Sequence, residues 1–217
     1  VKGMDLLDEV GWVDLDGDPE TPRTSSGVKD VLNGKDFTIT FSITDSVLHR
    51  EVVDRVSKSL KECGIQVAAN YVNVPELWAA GPEGVLFGRN FDLTEISWAT
   101  GNLPPCFLFS TSEIPAEKNG WLGTKYAGVN LTGYSNPEYD AACANLLTAG
   151  LDQELFDTSN QITQSIIAND LPVIPLFYQI KAMVSRPDLC GLSMDTSSRS
   201  ALSSIEDLIL SDTCATP

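Results

Sequence analysis

At 217 residues, with 42% hydrophobic and 20% charged side chains, the chain is long enough for one or two domains and has the composition of a folded protein. Lys and Arg number 14 against 30 Asp and Glu, a formal charge of −16 that repels phosphate backbones and anionic membrane surfaces and argues against a nucleic-acid partner. Every apolar run falls short of the ~20 residues a bilayer-spanning helix needs.

The chain opens at Val1, inside the helical pattern VKGMDLLDEVGW and with no signal peptide ahead of it. It therefore reads as an excised part of a longer polypeptide. Residues 5–11 are a short helix closed by Gly11, followed by GWVDLDGDPETPRTSSG, a loop dense in Asp, Gly, Pro and Ser. In KDFTITFSI, Phe37, Ile39, Phe41 and Ile43 alternate with polar neighbours, the pattern of a half-buried strand. Leu48, Val52, Val56, Leu60 and Cys63 then recur at helical spacing, which puts Cys63 in the core, and Gly64 stops the helix. IQVAANYVNV is a second strand. Such a strand–helix–strand unit joins parallel strands.

VPELWAAGPEGVLFGRN reads as a short helix and loop, and FDLTEISW as a third strand. The stretch from Ala99 to Asn130 has too many Gly and Pro for regular structure, and a loop of that length in a compact domain is usually functional. At GYSNPEYDAACANLL two helix starts compete. Ser135 and Glu138 form a capping box, or Asn136 caps and Pro137 is the first helical residue. A longer helix follows from Asp152, with Leu155, Phe156, Ile162, Thr163, Ile166 and Ile167 on one apolar face. LPVIPLFYQIKAMVS is an apolar strand region that Pro172 and Pro175 confine to a start, an edge or a bend, and LCGLSM adds one short strand. This order of elements argues for an α/β domain with a mixed sheet.

The residues carry little catalytic chemistry. His49, the single histidine, sits at a helix start with no G-x-S-x-G elbow to pair with, so its role is structural and a multi-His metal site is excluded. Asp14, Asp16 and Asp18 resemble the opening of a calcium loop, but Pro19 and Ser25 stand where such a loop needs Gly and Glu, which leaves an acidic turn. Asp92 and Glu95, the best candidate pair of hydrolytic carboxylates, alternate onto opposite faces of their strand. Asn130 opens an NLT glycosylation sequon. The five cysteines contain no CxxC pair, which removes zinc-type spacing; a disulfide among Cys106, Cys143, Cys190 and Cys214 stays open in an oxidising compartment. Trp98, Phe107, Phe109, Trp121, Tyr126 and Tyr134 lie in or beside the long loop, either as walls of a ligand cleft or as packing for the loop.

Taken in order, LLDEVGWVDLDGD, FTITFSI, REVVDRVSKSLKECGIQV, FDLTEISW, GYSNPEYDAACANLL, IIANDLPVIPLFYQ, GLSM and SIEDL resemble the extracellular solute-binding proteins of family 5, the oligopeptide and dipeptide type that serves ABC importers. The resemblance implies a mixed-sheet α/β lobe of a two-lobed periplasmic-binding-protein fold, of the type II-like large cluster, closing over its ligand at a hinge. Residues 1–217 would be the single C-terminal ligand-binding lobe, with the N-terminal lobe and its membrane anchor absent. The implied function is binding a peptide or other small solute, an oligosaccharide included, for ABC permease subunits in a periplasmic or extracellular setting, with no catalysis, metal or cofactor. A sensor module that kept the fold and lost transport is the alternative. In peptide-binding members a W-x-x-D-Y motif follows the equivalent strand, and its Asp pairs with the peptide amino group. Here Trp98 matches the Trp, but Gly101 and Asn102 replace the Asp and Tyr. The implied ligand-binding residues are Trp98, Ala99, Thr100, Gly101, Asn102 and Phe107, with the anchor for a peptide N-terminus missing because a buried ammonium needs a carboxylate.

Overall fold

The structure is a computed structural model, and it describes residues 2–18, 20–98, 104–121, 128–178, 182–195, 198, 200, 202–212 and 214. Contacts divide the chain into two compact units. The first comprises Val1–Ile96 and Phe107–Ala141, the second Ser97–Cys106 and Ala142–Pro217.

The first unit is built on the predicted strand–helix–strand. Strand β3 (Thr38–Thr44), helix α2 (Val47–Lys61) and strand β4 (Gln66–Val72) follow helix α1 (Lys2–Glu9) and a small antiparallel pair, β1 (Trp12–Val13) with β2 (Thr24–Ser25). β3 and β4 are parallel in continuous register from Thr38 opposite Gln66 to Thr44 opposite Val72. Ser46 starts α2 by accepting a hydrogen bond from the His49 amide at 3.1 Å, which satisfies one of the first-turn donors. Gly64 ends the excursion at φ +73°, and a Cβ there would also meet Arg23 Cγ at 2.8 Å, so glycine is required twice over.

β3 is more deeply placed than its alternation predicts. Phe41, Ser42 and Ile43 are all buried. Phe41 and Ile43 pack with Val52 and Val53 of α2, against Val56, Val67, Tyr71 and Leu93. Ser42 points the other way, and its hydroxyl accepts from the Asn70 amide at 3.2 Å. The strand is covered on both sides because helix α3 (Val74–Leu77) also packs on it. A second cluster gathers Val72, Leu77, Val85, Leu86 and Leu131. Burial of each such side chain contributes on the order of 1.5–3 kcal/mol. The third predicted strand shrinks to one contact. Leu93 bridges Phe41 in parallel, donating to Thr40 O at 3.0 Å and accepting from the Ser42 amide at 2.9 Å.

Arg23 pins α1, β1 and the end of α2 together. It is 4% exposed, with Nη1 2.6 Å from Asp8 Oδ1 and 2.7 Å from Trp12 O, and Nε 2.8 Å from Cys63 O. Cys63 itself is a free thiol of intermediate exposure rather than a core residue, since it falls beyond the last helical turn. The Asp14–Asp18 turn is closed by its own carboxylates: Asp14 accepts from Gly17 at 2.7 Å and Asp16 accepts from Asp18 at 3.0 Å.

Helix α4 (Pro137–Thr148) starts in the first unit. Asn136 is its cap, accepting from the amides of Glu138 at 2.9 Å and Tyr139 at 3.1 Å, with Pro137 in the first helical position. The second unit holds the rest of α4 and helix α5 (Gln153–Asp170), capped by Asp152. The buried face of α5 overlaps the expected one in Thr163, with Phe156, Ile166 and Ile167 half-buried, and adds Ser159. Ser159 and Thr163 are its buried residues, while Leu155 and Ile162 are each 36% exposed. Ser159 and Thr163 lie four residues apart on that face, so apolar periodicity finds Thr163 and misses Ser159. Strand β5 (Leu189–Cys190) pairs antiparallel with β6 (Ile209–Leu210), and a disulfide joins Cys190 to Cys214. A second disulfide joins Cys106 to Cys143. The LPVIPLFY stretch forms no strand among the described residues. Ile174 is 70% and Tyr178 96% exposed, Pro172 and Pro175 lack ladder donors, and residues 179–181 lie outside the described part. In place of one mixed sheet, the described residues contain three two-stranded sheets.

Candidate functional site

The chain reaches the candidate site through the Leu93 bridge. Asp92 fixes the approach, its Oδ2 accepting from the Thr40 amide at 2.7 Å. Glu95 lies beside His49, with Oε2 3.7 Å from Nε2. His49 Nδ1 is 2.8 Å from Thr44 O and 2.9 Å from Thr44 Oγ1. These two acids are thus tied to different partners, and neither is arranged as a hydrolytic pair. In the first turn of α2, His49 is held against Thr44.

Trp98 follows at the edge of the second unit and is 38% exposed. Ala99, Thr100, Gly101 and Asn102 lie outside the described residues. Phe107 is half-buried in a short 3-10 turn, Cys106–Phe109, and is grouped with the first unit. Of the six expected residues, Trp98 is therefore the one with a substantially exposed aromatic surface among those described.

Phe109, Tyr134 and Trp121 make packing contacts within the first unit. Tyr139 is 1% exposed and meets Phe109 and Tyr134 edge-on, with ring centroids 6.4 and 5.9 Å away. Burial pushes the Tyr139 phenol above its ordinary range, with Tyr134 and Asp140 adding to the effect. Trp121 lies against Gly81, where an added Cβ would meet the indole at 2.3 Å. Tyr126 lies outside the described residues.

Asn130 has a structural role that its sequon does not reveal, and it is fully buried. Its side-chain amide donates to Ser110 O and Tyr134 O, each at 2.9 Å, and its Oδ1 accepts from Thr132 at 3.0 Å. Its backbone amide donates to Glu113 O at 3.1 Å. A side chain used this completely holds the loop closed and has no room for a glycan. Arg89 extends the same brace through its contact with Pro115 O.

Among the described residues no group of three or more His, Cys, Asp or Glu could hold a metal ion, and no helix is long and apolar enough to cross a membrane. No protein-family model matches the chain, and no curated protein matches it. Solved structures do. The oligopeptide-binding protein of Thermus thermophilus, complexed with a pentapeptide, matches 81% of this chain at 23% identity and a TM-score of 0.64. The oligopeptide-binding protein AppA of Bacillus subtilis, in complex with a nonapeptide, matches 97% at 21% identity and a TM-score of 0.64. A periplasmic oligopeptide-binding protein of Thermotoga maritima, bound to mannohexaose, matches 81% at 22% identity and a TM-score of 0.60. The chain spans 29%, 37% and 30% of those three chains. Over most of its length it therefore has the fold of part of a family-5 oligopeptide-binding protein, a mixed α/β arrangement covering about a third of the matched structures.

Proposed function

We propose that this chain is the C-terminal lobe of an extracytoplasmic solute-binding protein of an ABC importer. It holds a peptide or another small solute, an oligosaccharide included, against a second lobe supplied by a longer polypeptide. The observation that carries this reading is the fold match over 81–97% of the chain to proteins named for oligopeptide binding. Two disulfides suit an oxidising compartment outside the cytoplasm. The exposed apolar run, with Ile174 at 70%, Phe177 at 50% and Tyr178 at 96%, supports a fold that continues beyond these residues.

Trp98 stacks on the ligand in this reading, and Ala99, Thr100, Gly101, Asn102 and Phe107 supply short-range contacts around it. Gly101 offers no carboxylate for an amino terminus, so a sugar or a peptide held elsewhere along its length fits better than a peptide gripped at its first residue. The match to a mannohexaose-bound structure supports the sugar option. The lobe performs no chemistry, works with permease subunits, and is anchored to the membrane through the longer polypeptide.

Tryptophan-fluorescence titration tests the proposal, run on the 217-residue chain and on the longer two-lobed polypeptide with a nonapeptide pool and with mannohexaose. Saturable quenching by one of these in the two-lobed form, and little in the single lobe, is the expected result. Turnover of either ligand, abolished by changing one acidic side chain, would overturn it.

A further inference from the structure

The surroundings of His49 bias which of its nitrogens carries a proton. Thr44 O can only accept and lies 2.8 Å from Nδ1, while the Thr44 hydroxyl at 2.9 Å can donate or accept, so the carbonyl favours a proton on Nδ1. Nε2 then faces Glu95 Oε2 at 3.7 Å, an oxygen buried with no hydrogen-bond partner among the described residues. A neutral ring in this pose turns a lone pair toward a buried carboxylate. A charged ring turns an N–H toward it and supplies the opposite charge that a buried carboxylate requires.

We infer that His49 and Glu95 form a proton-operated clasp between α2 and the segment around Leu93, closed with the imidazolium and open with the neutral ring. The other charged and titratable groups nearby are committed. Arg50 is bonded to Asp45 at 2.6 Å and lies 4.7 Å over the Tyr71 ring of β4. Glu51 is paired with Arg55, and Asp92 accepts from the Thr40 amide. Histidine alone among these residue types ordinarily changes charge between about pH 5 and 8, and this chain has one histidine. Among the described residues the segment the clasp holds has one backbone bridge to the sheet, at Leu93, so a side-chain tether there has leverage.

Ring-nitrogen NMR of the 217-residue chain, labelled with ¹⁵N, reads the clasp without assignment ambiguity. At a pH alkaline enough to leave the ring neutral, its proton is expected on Nδ1, with Nε2 bare. A proton on Nε2 at that pH would overturn the inference, because the neutral ring would then keep the contact with Glu95. A double-mutant cycle with His49→Gln and Glu95→Gln gives the second reading. The unfolding constants should be coupled by about fivefold at a pH where the ring nitrogens read as imidazolium and by less than about twofold at a pH where they read as neutral. Equal coupling at both values, or none at either, contradicts the clasp. If either variant fails to fold, the ring-nitrogen measurement on the unaltered chain still decides.

Discussion

Cys106 is joined to Cys143 across a sequence separation of 37, with Cα atoms 5.5 Å apart. The loop this bond closes contains residues 107–141, the second stretch of the first unit. The bond at Cys190 and Cys214 closes a separation of 24 and secures the β5–β6 pair near the end of the chain. Closing loops of these lengths removes chain entropy from the unfolded state worth about 3–4 kcal/mol each in the simple model, and measured effects are often smaller. Replacing Cys106 and Cys143 together by alanine is expected to lower the urea midpoint by the equivalent of about 2–4 kcal/mol. An unchanged midpoint would mean that the reduced chain already holds the loop ends together.

Asn136 is expected to contribute through its cap. Asn136→Ala removes the acceptor for the Glu138 and Tyr139 amides and should cost about 1 kcal/mol in denaturant unfolding. Asn136→Asp, which keeps the acceptor, should cost much less. Equal losses in the two variants would point to another role for the side chain.

Arg23 presents a sharper asymmetry. The guanidinium is 4% exposed, whereas its partner Asp8 is 54% exposed. Arg23→Leu leaves the Trp12 and Cys63 carbonyls without their donor, and its expected cost is about 3 kcal/mol. Asp8→Asn leaves those carbonyl bonds in place and should cost under about 1 kcal/mol. Thermal or urea unfolding of the two variants checks the ratio.

Tyr139 predicts the alkaline limit of stability. Burial raises its phenol above the ordinary value, with Tyr134 and Asp140 as lesser contributors. The unfolded chain ionises at about pH 10 while the folded chain resists ionisation, so this contribution is complete below about pH 10 and declines as the pH rises further. Tyr139→Phe removes the ionisable group. Unfolding midpoints taken from about pH 9 upward, at about one-unit steps, should fall less steeply in that variant than in the unaltered protein. Parallel curves would count against a buried, neutral phenol.

Much of the first unit is legible in the sequence because its signals are local. Ser46 and Gly64 mark the ends of the α2 excursion, and the two strands it joins are found within three residues of their expected bounds. Of the two competing starts at GYSNPEYD, Asn136 wins, a matter of geometry that the letters leave open. What was not legible depends on contacts distant in sequence. The NLT at Asn130 reads only as a sequon, and nothing in it announces the side chain's bonds to Ser110, Tyr134 and Thr132. Phe109, Tyr134 and Trp121 could have lined a cleft, but they pack into the loop. On α5 the expected face includes Thr163, but buried Ser159 is a residue that no hydrophobic count selects. LPVIPLFY has the composition of a strand, and strand formation needs a partner that the described residues do not supply.

Trp98 carries the most direct prediction about binding. Trp98→Ala in the two-lobed polypeptide should weaken binding of whichever solute quenches its fluorescence by about tenfold or more, as loss of an anchoring aromatic does. Because the side chain is 38% exposed, stability should change little. A large loss of stability with unchanged affinity would make Trp98 a packing residue.

Native mass spectrometry of the two-lobed protein containing this sequence, purified without denaturation, tests the central claim most directly. A discrete adduct that is retained in the native state, released on unfolding and resolved as one oligosaccharide or a ladder of short peptides is the predicted result. A single sugar mass would agree with the missing carboxylate at Gly101, and a peptide ladder would require another partner for the amino terminus. A protein that is bare in its native state, and stays bare after incubation with peptides and with mannohexaose, would contradict the assignment as a solute-binding lobe.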